Sequence, residues 1–316
     1  VLRIDHPDGL FDPKAYLQNL QDRYHRDCGA GEFYVVVEKI LRADEHLRPD
    51  WPVAGTSGYD FLNKVSGIFV DPRGEKPLTR TYAGWIGREI RFPELAIDKK
   101  KRILDRALAS ELTMLTHRLD LLAQRFRASR DFTLRALRAA VREVIACFPV
   151  YRTYITGTPV SAEDAADIHA ALAVARRRAD KKDIEPAVFD FLERMLLLQY
   201  PAESTEDDRA AQRLWVGRFQ QLTSPVVAKG IEDTAFYLYH RLISLNEVGS
   251  EPERFGVDQE QLHAYFADRA ARWPFALSEL STHDTKRSED VRARIHVLSE
   301  LPTAWAAPVT ALPPDI

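Results

Sequence analysis

One run constrains the fold more than any other part of the chain: Tyr34-Val35-Val36-Val37, four consecutive apolar or aromatic residues closed by Glu38. The run does not alternate apolar and polar positions, so a strand built from it buries both faces. That is the grammar of a parallel sheet covered by helices. Phe33 to Val37 therefore reads as one strand, and Val1 to Ile4 as another. Between them Asp12 suits a helix N-cap and Pro13 the first helical position, and Tyr16, Leu17, Leu20 and Tyr24 recur at helical spacing. Strand, helix, strand is the α/β pattern, and a loop-rich stretch follows it.

The pattern then changes character. Between about residues 98 and 222 strand signals vanish and amphipathic helices take over. Ile103, Leu104, Leu108, Leu112, Leu115 and Leu119 mark one long stripe, and Ser161 to Asp164 resemble a capping box before the next helix. Phe189, Leu192, Met195 and Leu196 mark another stripe, followed by Leu214, Trp215 and Phe219. After about residue 223 the signals are mixed again, with helices expected near 258–272 and 289–300 and a Pro-rich tail. The fold expected is α/β with a large all-α insertion, predominantly helical overall: an α/β segment over 1–97, a helical domain over 98–222 and a return to the first domain over 223–316.

Composition excludes several classes of function. The 316 residues are 45% hydrophobic and carry a formal net charge of -3, which leaves no basic footprint for nucleic acid. The runs Lys99-Lys100-Lys101-Arg102 and Arg176-Arg177-Arg178 lie among mixed charges and read as solvated helix faces. Cys28 and Cys147 match no metal spacing, and a reduced, cytoplasmic protein is expected. No stretch approaches the roughly 18 consecutive apolar residues of a membrane span. Val1-Leu2-Arg3-Ile4 reads as the middle of a domain, so further chain is expected before it.

Three short blocks carry chemistry. Arg3-Ile4-Asp5-His6 and Val37-Glu38 each place an acid at or just past the end of a strand, where α/β sheets present their reactive groups, and Ser281-Thr282-His283-Asp284 adds a third. Retaining glycoside cleavage needs an ionised carboxylate as nucleophile and a protonated carboxyl as general acid, about 5 to 5.5 Å apart. Arg3 lies two residues before Asp5, on the same face of a strand, and suits an ionised Asp5. The apolar approach to Glu38 suits a carboxyl that keeps its proton. His283 and Asp284 would orient sugar hydroxyls and stabilise an oxocarbenium-like transition state. Singly, each block also fits an ordinary ion pair, a strand end or a cap.

Taken together and in order, Arg3-Ile4-Asp5, Val37-Glu38 and His283-Asp284 resemble the second, third and fourth signature regions of the α-amylase superfamily. The longer blocks Asp5 to Leu10, Val37 to Leu41, Gly55 to Asn63, Phe148 to Tyr154, Ala228 to Tyr237 and Ser281 to Asp290 resemble the maltooligosyl trehalose synthase family within it. The resemblance implies part of a (β/α)8 TIM barrel with Asp5 as nucleophile, Glu38 as acid/base and Asp284 as transition-state stabiliser. Candidate sugar contacts are Arg3, His6, Lys39, Tyr59, Asp60, Lys229, Glu232, Asp233, Phe236, Tyr237 and His283. It also implies a maltooligosaccharide substrate and no metal or organic cofactor. Thr282 stands where many amylase relatives have Asn, and the Lys-His pair common after the nucleophile is missing. The implied reaction is intramolecular transglucosylation. The alternatives are a hydrolytic or transferring α-glucanase and a catalytically silent helical interaction module.

Overall fold

The computed structural model describes residues 1–29, 31–42, 45–180 and 184–312. It divides into two compact units. One comprises Val1–Pro7, Lys14–Leu95 and Glu232–Ile316; the other comprises Asp8–Pro13 and Ala96–Ile231.

The first unit is organised by a sheet. Strand β1 (Leu2–Ile4), helix α1 (Pro13–Cys28), strand β2 (Val35–Val37) and strand β3 (Gly55–Thr56) follow one another in sequence, and the strands pair in parallel in the order β1-β2-β3. Leu2 pairs with Val35, Ile4 with Val37, and Val37 with Thr56, so all three strands end along one edge. Val35, Val36 and Val37 are completely buried, as the unbroken apolar run requires. Burial of each such side chain contributes roughly 1.5–3 kcal/mol. The buried Gln21 of α1 donates to the Phe33 and Pro52 carbonyls and accepts from the Phe33 N–H, which ties the helix to the lead-ins of two strands. Tyr16 is exposed, so the buried stripe of α1 is narrower than its spacing suggests.

The fold leaves one expectation open and corrects two others. Among the described residues the sheet has three strands and no closed barrel, so a partial (β/α)8 barrel is not established by the fold itself. The stretch after Val37 is loop-rich only as far as residue 58, where β3 is the one regular element among the described residues; beyond it lie α2 (Tyr59–Gly67) and α3 (Glu75–Ile86), short because Gly67, Pro72, Gly74 and Gly87 punctuate it. The stripe from Ile103 to Leu119 is two helices, α4 (Phe92–Asp105) and α5 (Ala109–Ala123). The chain turns between them, with the Arg106 and Leu108 N–H groups both donating to the Ile103 carbonyl. No Gly or Pro announces that turn; packing overrides helix propensity.

The second unit is helical: α5, α6 (Leu134–Ala146), α7 (Ala162–Arg178), α8 (Pro186–Leu196) and α9 (Glu206–Val227). Helix α6 is central and packs against α5, α7, α8 and α9. Thr133 caps it by accepting from the Ala136 N–H, and Ser161 does the same for α7 at Asp164. Buried polar groups are matched individually. The Trp215 indole donates to the Leu115 carbonyl at 2.9 Å, and the Gln220 amide pairs with both the N–H and the carbonyl of Ile155. The Arg152 guanidinium, 1% exposed, donates to the carbonyls of Asp8, Leu10 and Thr153, and Gln221 donates to that of Gly9. These contacts are why residues 8–13 belong to the helical unit. The basic run in α4 is not a solvated face: Lys100 is buried and donates to the Phe148 carbonyl, while Lys101 pairs with Glu143.

Toward the C-terminus lie α10 (Gln259–Arg272), capped by Asp258, then α11 (Glu289–His296), which passes into a 3₁₀ turn at Val297–Ser299, and α12 (Pro302–Ala311). The Pro-rich tail is thus largely helical, with Pro302 at a position that tolerates it; residues 313–316 lie outside the described residues. The chain is mostly helical. Among the described residues no helix is long and apolar enough to cross a membrane.

Candidate active site

Parallel pairing carries Asp5 and Glu38 to the same edge of the sheet. The Glu38 N–H donates to the Ile4 carbonyl at 2.9 Å, so the two acids leave adjacent strand ends side by side. Asp5, Glu38 and His283 each bring a polar side-chain atom within 4.8 Å of the others. The Glu38 side chain is 12% exposed and that of Asp5 73%, so one carboxyl is sheltered and the other open to solvent. His6, next to Asp5, has φ of 43°, a left-handed conformation that costs a non-glycine residue energy and is often found beside functional groups.

The two carboxyls differ in proton affinity. A hydrogen bond from Glu38 holds Asp5 below the usual carboxylate range; its slight burial opposes this and the Arg3 guanidinium assists it. Burial raises Glu38, the hydrogen bond to Asp5 raises it further, and Arg3 works against both. The two shifts run in opposite directions, Asp5 toward the ionised form and Glu38 toward the protonated one. The direct carboxyl–carboxyl bond is tighter than the about 5 to 5.5 Å spacing of retaining enzymes, so a glycosidic oxygen would have to part them. Asp5, Glu38 and His283 each offer one ligand atom at a spacing that could hold a cation.

The loop that carries His283 is built from its own polar groups. Thr282 Oγ1 accepts from the Asp284 and Thr285 N–H groups and donates to the Tyr59 hydroxyl at 2.9 Å, which in turn donates to Glu38 Oε1 at 3.3 Å. The Leu277 N–H donates to the Thr56 carbonyl, so the approach to this loop runs beside β3. That close approach requires glycine: at Gly58, φ +105°, a Cβ would lie 2.7 Å from the Leu277 oxygen. Asp284 sits apart from the three-residue cluster. Lys286 Nζ lies 3.5 Å from both Asp284 and Asp233. Burial alone would lower the Lys286 pKa, but Asp284, Glu232 and Asp233 outweigh it and raise it.

The remaining candidates divide between this region and the interior. Arg3 belongs to the cluster, 2.8 Å from Glu38. Lys39 is buried and paired with Glu45 at 2.7 Å. Tyr59 is buried behind Glu38. Asp60 accepts from Thr56 and Tyr265 and lines a separate cavity of about 950 Å³ with Asn63, Trp273 and His296; Asp5, Glu38, His283 and Asp284 do not line it. Phe236 is buried against Phe92, and Glu232 is buried, whereas Asp233 and Tyr237 are exposed. Lys229 is an exposed residue of the helical unit. Sequence reasoning missed Thr282 as a link to Tyr59, and it missed Glu247 and Arg292. That pair is buried, with side chains 3.4 Å apart. Glu247 accepts from the Lys286 and Arg287 N–H groups, and Arg292 donates to the Arg287 and Leu280 carbonyls. The unusual Thr before His283 was the available signal for the first; nothing local signals the second.

No protein-family model matches the chain. Among curated proteins, a putative maltooligosyl trehalose synthase of Mycobacterium tuberculosis is 39% identical over 307 residues, which are 96% of this chain and 35% of that protein. Among solved structures, the maltooligosyltrehalose synthase of Arthrobacter ramosus matches 96% of this chain and 35% of its own, at 36% identity and a TM-score of 0.78. A hypothetical maltooligosyl trehalose synthase of Sulfolobus tokodaii matches with the same coverage of both chains, at 31% identity and a TM-score of 0.71. Over nearly all its length the chain is thus homologous to a segment of maltooligosyl trehalose synthases, and it spans 35% of the curated relative's length.

Proposed function

We propose that this chain carries the carboxylate pair of an isomerase acting in trehalose biosynthesis, which re-links the reducing-end glucose of a maltooligosaccharide from α-1,4 to α,α-1,1. The carrying observation is the pair itself: Asp5 and Glu38 side by side at adjacent ends of parallel strands, Asp5 exposed and shifted toward the ionised form, Glu38 sheltered and shifted toward the protonated one. In this reading Asp5 attacks the anomeric carbon on the non-reducing side of the last α-1,4 bond while Glu38 protonates the departing O4. The freed glucose stays bound and turns. Glu38 then takes the proton of its anomeric hydroxyl, whose oxygen displaces Asp5. Two displacements give net retention, and no water is consumed. Asp284 would stabilise the oxocarbenium-like transition state, and Arg3 and His283 would orient the sugar.

Support for reading the sheet as an arc of a (β/α)8 barrel comes from three parallel strands in sequential order with acids at one edge. The homologues' names support the choice of reaction over simple α-glucan hydrolysis. A cytoplasmic setting belongs to the same reading, supported by the free Cys28 and Cys147. The deciding experiment uses a full-length protein containing these residues. Maltopentaose should lose its reducing end without releasing glucose, and maltopentaitol, which lacks the anomeric acceptor hydroxyl, should not isomerise. Glucose as the main product would favour the hydrolase.

A further inference from the structure

The hydrogen bonds behind Glu38 all run one way. The N–H groups of Asp284 and Thr285 donate to Thr282 Oγ1, Thr282 donates to the Tyr59 hydroxyl, and Tyr59 donates to Glu38 Oε1. Each group gives its proton forward and accepts from behind, the arrangement in which successive hydrogen bonds polarise and strengthen one another. Thr282 is half-buried and Tyr59 is 1% exposed, so solvent competes little for these bonds. The turn at the start of the chain is itself fixed. Glu247 accepts from the N–H groups of Lys286 and Arg287, and Arg292 grips the carbonyls of Leu280 and Arg287, one on each side of Thr282.

We propose that Thr282 and Tyr59 are positioning residues that carry a one-way hydrogen-bond relay from the 282–285 turn to Glu38, with the buried Glu247–Arg292 pair fixing the turn. The inference rests on the assignment of Glu38 as the acid/base. The relay orients the Glu38 carboxyl, and by donating to Oε1 it favours the ionised form, which tempers the effect of burial. The other groups facing Glu38 are Arg3, which also favours ionisation, Asp5, which opposes it, and His283, which favours it when charged. The relay eases proton return in the second displacement, adding to the effect of Arg3 on a carboxyl that must act first as acid and then as base.

The test compares Thr282→Val and Tyr59→Phe, both close to isosteric, with the parent in a full-length protein labelled with ¹³C-glutamate at the carboxyl. The Glu38 resonance is assigned by its loss in Glu38→Gln. Removing a donor should raise the Glu38 titration midpoint by roughly 0.4–1 pH unit, the size of one hydrogen bond. The alkaline limb of kcat/KM, which reports the free enzyme, should move up equally, and Thr282→Ser should restore both. Circular dichroism on the same samples checks the fold. Unchanged midpoints in both variants would overturn the relay. If the parent does not isomerise maltooligosaccharides, the proposed reaction fails, yet the titration still decides the relay.

Discussion

The guanidinium of Arg3 lies 2.8 Å from Glu38, on the neighbouring strand, and 3.6 Å from Asp5, two residues along its own. One cation thus serves both carboxyls, and it lowers the proton affinity of each. What separates them is burial, which raises Glu38 most, and the hydrogen bond between them, which lowers Asp5 and raises Glu38.

Asp5→Asn and Glu38→Gln should each reduce turnover by several orders of magnitude in a full-length protein containing these residues. Both substitutions keep volume, and the ion pairs they remove are partly solvated, so melting temperatures should stay close to the parent's. Loss of reducing ends from maltopentaose, read beside a thermal melt, checks both. Near-normal turnover in either variant would remove that residue from the chemistry.

The pH profile of kcat/KM should be a bell. Activity needs Asp5 ionised and Glu38 protonated, so it rises as pH passes the lowered Asp5 value and falls as pH passes the raised Glu38 value. In Asp5→Asn the hydrogen bond and charge that raise Glu38 are lost, and its titration should move down. In Arg3→Met both groups should move up. Carboxyl-carbon NMR titrations read these shifts without turnover, and an upward Glu38 shift in Asp5→Asn would contradict the pairing.

Arg152→Met should destabilise the helical unit by about 3 kcal/mol, because buried carbonyls of Asp8, Leu10 and Thr153 lose their donor. Urea unfolding followed by circular dichroism measures it. A loss under about 1 kcal/mol would mean that water replaces the guanidinium.

Glu247→Ala should cost about 3–5 kcal/mol, since it leaves the Arg292 charge buried alone. Replacing both residues, as in Glu247→Leu with Arg292→Met, should recover most of that stability. Equal losses in the single and double variants would show that the backbone contacts, not the charges, dominate.

Residues 1–316 by themselves should show little or no isomerising activity. They span 35% of the curated relative's length, and among the described residues their sheet has three strands. Misplacing a reacting group by about 1 Å costs roughly a hundredfold in rate. Turnover by this chain comparable to that of a full-length protein would refute the expectation.

Local rules made some of this legible and left the rest out of reach. The unbroken valines announced β2, and Pro13 announced α1, because burial on both faces and a fixed φ act on adjacent residues. For Asp5 and Glu38 the sequence offered only Arg3 and the apolar run, while the hydrogen bond between the two acids, a main cause of both shifts, depends on strand register. Arg3's closer partner depends on that register too. The burial of Lys39 against Glu45 depends on a loop that carries no local signal. Tyr59 and Phe236 could not be sorted from sugar contacts by residue type, for an aromatic ring suits a core as well as a pyranose face. Glu247 and Arg292 meet across 45 positions, and only the folded chain brings them together.

The helical unit is discontinuous, made of Asp8–Pro13 and Ala96–Ile231. This matters for anyone who would transplant it or divide the protein for expression. A graft of 96–231 alone would carry Arg152 without most of the carbonyls it grips and Tyr154 without its Asp8 partner. The six-residue strip that follows the sheet's first turn is cargo the helices must take along, so the workable cut removes two pieces of chain, and the shorter one begins three residues after Asp5.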